Sequence, residues 1–83
     1  MKELALPAGG TALILETDGE RVVLLAPNAR PPGSSLLATF GSSNVTIKVR
    51  GSQRVEPDAD GRCFRIEGRF VSLSRELRLA LTS

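Results

Sequence analysis

Four arginines, one cysteine and a pair of aspartates have the chemistry to make a site in this chain. Arg30, Arg50, Arg65 and Arg69 carry guanidinium forks, which suit phosphates and guanine edges. Arg65 and Arg69 have the spacing Arg-x-x-x-Arg, but they alternate with Phe64, Ile66 and Phe70, which is the pattern of a solvated strand face. Asp58 and Asp60 share the polar turn Pro57 to Gly61 and could touch a hard cation, yet a calcium loop needs more oxygen ligands at a fixed cadence. Cys63 is the only cysteine, which excludes an internal disulfide and a multi-cysteine zinc site and fits a reducing compartment. Arg62 and Arg65 flank it, but it falls in an apolar strand pattern and reads as a packed core residue rather than a reactive thiol. The chain has no His and no carboxylate pair framed by apolar residues, so nothing supplies a tuned acid, base or activated nucleophile. An enzyme is excluded on that inventory, and no cofactor or metal is expected. Gly9-Gly10 precedes a strand rather than a helix and so does not make a phosphate cradle.

These residues must be positioned by a small scaffold. Eighty-three residues, of which 41% are hydrophobic and 24% charged, make one globular domain over 1–83. A domain this small hides only about 60% of the surface its unfolded chain exposes, so a partner subunit would help it. The net charge of +2 is uneven: residues 1–40 hold three basic and four acidic groups, residues 41–83 eight and five. The basic second half favours an acidic partner or a phosphate. With no Trp or Tyr, it lacks the exposed aromatics that nucleic-acid binders add. The apolar N-terminal stretch, broken by Pro7, is too short for a signal peptide or a membrane span, and the reading is cytoplasmic.

The period of the apolar residues gives the elements. Thr11 to Thr17 is an apolar run ahead of Asp18-Gly19, and Arg21 to Leu25 resumes at once, predicting a β-hairpin with a two-residue type I′ turn. Pro27 and the segment Pro31-Pro32-Gly33 make a loop. Leu36 to Phe40 is the next strand, and Gly41 to Asn44 turns into another. There Val45, Ile47 and Val49 alternate with Thr46, Lys48 and Arg50, so one face meets the core and the other meets water. Gly51 marks a bulge. Phe64, Ile66, Gly68 and Phe70 predict a last strand with an aromatic-lined inner face. Ser74 is the N-cap of a short helix in which Leu73, Leu77 and Leu81 form an apolar stripe, packed on the sheet or on another chain. The fold class is therefore mainly β, a small antiparallel barrel of five to six strands with a short C-terminal helix.

Pro32-Gly33 with Leu36, Leu37 and Phe40, the strand Val45 to Val49, the run Phe64 to Phe70, and then Leu73 and Arg78 resemble the C-terminal two-thirds of a PilZ domain, over roughly residues 20–83. The resemblance implies a six-stranded antiparallel barrel with a C-terminal helix. It also implies a bacterial receptor for cyclic di-GMP, held by an Arg-x-x-x-Arg pair ahead of the first strand and an Asp/Asn-x-Ser-x-x-Gly motif in the early strands. Neither motif is in place: Met1 to Gly10 contains no Arg, and Asp18-Gly19-Glu20-Arg21 has neither the Ser nor the later Gly. What is left is the adaptor kind of PilZ-like domain, a regulatory module working through protein contacts or self-association in signalling or motility. The leucine stripe Leu73, Leu77 and Leu81 is its candidate contact surface. The alternatives are direct cyclic di-GMP binding through an unusual set drawn from Arg30, Arg50, Arg65 and Arg69, and a small basic barrel that binds nucleic acid.

Overall fold

A computed structural model describes residues 2–7 and 9–82. Six strands, β1 (Lys2–Ala5), β2 (Thr11–Thr17), β3 (Arg21–Ala26), β4 (Ser35–Phe40), β5 (Ser43–Arg54) and β6 (Phe64–Val71), precede one helix, α1 (Arg75–Thr82). The strands close into an antiparallel barrel in the order β1-β2-β3-β6-β5-β4. Strand alternation builds the core directly. Leu4, Leu24, Leu36, Ile47 and Ile66 point inward from five strands and are all but sealed from solvent, while their strand neighbours face out.

Three local features differ from the sequence reading. The leading segment is itself a strand, since Lys2 to Ala5 pairs with Ile14 to Thr11, so the barrel begins before Gly9-Gly10. The β2–β3 turn sits one residue later than expected. Thr17 pairs with Val22, which leaves Gly19-Glu20 at the centre, and Gly19 alone has a positive φ (94°), the signature of a II′ rather than a I′ turn. Asp18 still matters there, because its carboxylate accepts the backbone N–H groups of Glu20 and Arg21 and is held below the usual carboxylate range by them. Lastly, Cys63 precedes β6 instead of lying in it, is half-buried, and has Sγ 3.9 Å from the Pro27 carbonyl. It is not a core residue.

Other expectations hold. β5 shifts register between Val49 and Gly51, so the predicted bulge is present. Ser74 caps α1: its Oγ accepts the Leu77 N–H at 3.2 Å. The leucine stripe packs on the barrel, the first of its two predicted fates. Leu81 belongs to the core at 4% exposure, and Leu73 and Leu77 pack against it with Phe40 and Phe70. Leu79, on the other side of α1, is the exposed leucine of this helix.

The ring closes unevenly. β5 pairs along half of its length with β4 and along most of it with β6, whereas β1 meets β4 at one register pair, Ala5 with Thr39. Beyond that pair Leu6 accepts the Gly9 N–H and donates its own N–H to the Gly10 carbonyl, so the chain turns away from β4.

Candidate functional site

The outward residues of β3, β6, β5 and β4 form rows across the barrel, because antiparallel partners face each other at each register position. In one row Arg21 pairs with Arg69, Arg69 with Lys48, and Lys48 with Ser35. Three cations thus stand side by side on adjacent strands, an arrangement that destabilises a sheet when nothing neutralises it. The next row towards the helix end is uncharged: Val71 pairs with Thr46 and Thr46 with Leu37. Val71 and Leu37 are 45% and 56% exposed, so an apolar rim borders the cationic row. On the other side Arg50, beside the Gly51 bulge, adds a fourth exposed cation.

A groove runs along this face, lined by Gly33, Lys48, Arg50, Arg69, Val71 and Ser72 among others. A second depression joins Arg50, Arg65 and Arg69 to Arg21, and Glu16 and Glu67 line it with them. The structure therefore brings three of the four candidate arginines together. Arg30 is outside both lining sets and sits in the loop between β3 and β4, where its carbonyl accepts the Ser52 hydroxyl. Arg65 is the committed member, ion-paired with Glu67 two residues along β6. Among the described residues Lys48, Arg50 and Arg69 have no acidic side chain within ion-pair distance.

Gly68 sets how close these strands come. It faces inward from β6, and a β-carbon there would lie 2.6 Å from the Lys48 carbonyl oxygen and 2.8 Å from the Ile47 side chain. Its missing side chain lets the β5 backbone press against β6 and fixes the spacing of Lys48 and Arg69.

The arginine that sequence reasoning missed is Arg62. It is 4% exposed and joins the β5–β6 connection to the β1–β2 hairpin. Nη1 lies 2.7 Å from Asp58 and 3.3 Å from Asp60, and Nη2 lies 3.2 Å from Glu3. Nη2 also donates to the Thr11 hydroxyl at 2.6 Å, and Nε to the Thr11 carbonyl at 3.1 Å. The hydrogen bond to Asp58 raises the Arg62 pKa further, and the backbone N–H of Arg62 foremost holds the Asp58 carboxyl below its usual value. Asp58 and Asp60, weighed above as cation ligands, are thus partners of a guanidinium. The signal was the cadence Asp-x-Asp-x-Arg in a turn, which lets both carboxylates fold back on the basic residue that follows.

All three phenylalanines are half-buried against the core, and Phe70 is the one that also lines the groove beside Lys48, Arg50 and Arg69. Among the described residues no helix is long and apolar enough to cross a membrane. Comparison with protein-family models, with characterised proteins and with solved structures found no match.

Proposed function

We propose that this chain is a non-catalytic, PilZ-like regulatory module of bacterial signalling or motility, which acts in the cytoplasm by docking a partner protein on the outer face of β3, β6, β5 and β4. One observation carries this reading: three cations aligned across adjacent strands, two of them without an acidic partner, beside exposed Val71 and Leu37. Like charges placed opposite each other cost stability, and exposed apolar side chains on the same face add nothing to the monomer. Both features are accounted for if a partner of opposite charge covers them. The leucine stripe is used within the chain, so the contact surface moves from α1 to the sheet. The six-stranded barrel with a C-terminal helix is the architecture that the resemblance implies.

The test is site-specific photo-crosslinking in the native cell. A photoreactive residue at Thr46, inside the face, should give discrete protein adducts, and one at Leu79 on α1 should give none. Equal labelling at the two positions, or none at Thr46, sinks the reading.

A second reading has its own support. Arg50, Arg65 and Arg69 surround one depression with Arg21, a set of forks suited to a cyclic dinucleotide. Calorimetry with cyclic di-GMP decides between them. Saturable micromolar binding that disappears in both Arg65→Ala and Arg69→Ala would make the chain a nucleotide receptor.

A further inference from the structure

We propose that the segment docked on this face is an acidic amphipathic helix of the partner, laid across the strands with carboxylates on Arg21, Arg69 and Lys48 and apolar side chains on Val71 and Leu37. The inference rests on the reading above and names the chemistry of the partner.

The geometry selects among anions. A single phosphate gathers donors that converge on one point, whereas these cations are strung over three strands, about 9.5 Å from first to last. Two turns of helix cover about the same distance, since positions i and i+7 are about 10.5 Å apart. Glutamates at i, i+4 and i+7 therefore fall in step with the row. The apolar rim has the same length but is set one strand over, because Val71 and Leu37 run from β6 to β4 where the cations run from β3 to β5. It lies about 6.7 Å from the cationic row, two residues along each strand. A helix about 10 Å wide spans both rows. An extended segment lying along the row presents one line of side chains to the barrel and leaves the rim uncovered.

Charge excludes the helix of a second copy. α1 carries Arg75 and Arg78 against one acid, Glu76, and of its three leucines Leu77 and Leu81 are already packed on its own barrel, which leaves Leu79 exposed.

The probe is a synthetic helical peptide of about fifteen residues with glutamates at i, i+4 and i+7 and leucines at i+1 and i+8 on an alanine and glutamine background. It is titrated into the isotope-labelled chain, with amide shifts read by NMR. Saturable binding is expected, with shifts concentrated in residues 21–23, 35–37, 46–50 and 69–71. Lys48→Glu and Arg69→Glu should each weaken it about tenfold or more while the rest of the spectrum stays folded. Replacing the peptide's glutamates by glutamine, or its leucines by alanine, should do the same.

Absence of binding, or binding untouched by these changes, overturns the proposal. So does tighter binding of tripolyphosphate or a single-stranded oligonucleotide at the same residues, or self-association that Arg69→Glu abolishes. The docking reading is separable: crosslinks at Thr46 that persist while the peptide fails leave a protein partner in place and remove only the helix.

Discussion

Arg62 and Arg69 are chemically identical side chains seven positions apart, and the barrel treats them in opposite ways. Arg62 is withdrawn from solvent and surrounded by Asp58, Asp60, Glu3 and Thr11, so that its guanidinium is engaged on three nitrogens. Arg69 stands in solvent between Arg21 and Lys48, with two positive neighbours and no acid at ion-pair distance among the described residues. A cation whose donors are used within the chain accounts for itself as structure. One that stands against its own kind calls for a reason outside the chain.

The contrast can be broken first at Arg62. Arg62→Met removes the guanidinium and leaves three carboxylates facing one another, so unfolding in urea should show a loss of about 3 kcal/mol. A loss near zero would mean that the cluster is a surface ornament like any other. Gly68→Ala should come next, at about 2 kcal/mol, because the new methyl group collides with the Lys48 carbonyl and the strands must part. Its peptide binding should weaken as well, since Lys48 moves away from Arg69.

The pH dependence sharpens the same comparison. The carboxyl of Asp58 is held below its unfolded value, so its contribution to stability is complete above the ordinary aspartate range and drains away as pH falls below about 4. Thermal melts of the native chain should therefore drop in that window, and Arg62→Met should flatten the drop. A curve unchanged by the substitution would remove Arg62 from the acid response. The smallest effect has the opposite sign. Arg69→Glu places an acid between Arg21 and Lys48 and should raise stability by about 0.5 kcal/mol, a melting-point increase of about 3 °C, while weakening peptide binding about tenfold or more. If the variant is less stable, the native row is not under repulsion and needs no partner to relieve it.

Much of the architecture was legible because it obeys a short period. Val45, Ile47 and Val49 announce a half-buried strand, Gly51 its bulge, and Ser74 the start of the helix. β1 was not legible: Leu4, Ala5 and Leu6 are too few before Pro7 to show a period, and only pairing with β2 makes them a strand. The turn was misplaced by one residue because Asp-Gly and Gly-Glu both satisfy a two-residue loop until the register Thr17 to Val22 decides. For the site, the alternation of Arg65 and Arg69 gave the outward face correctly. What alternation cannot give is which strands are neighbours. Arg21 meets Arg69 because β3 lies beside β6, and that is a property of the closed ring rather than of either segment. Arg62 was missed for a related reason, since Glu3 and Thr11 reach it from far along the chain.

The single register pair that joins β1 to β4 among the described residues, Ala5 with Thr39, gives the ring a clasp. Opening it unhooks β1 from β4 while the wide ribbon of β4, β5 and β6 stays intact, so amide exchange should be fastest in β1 and slowest in the middle of β5. Such a ring loosens at one joint long before it melts.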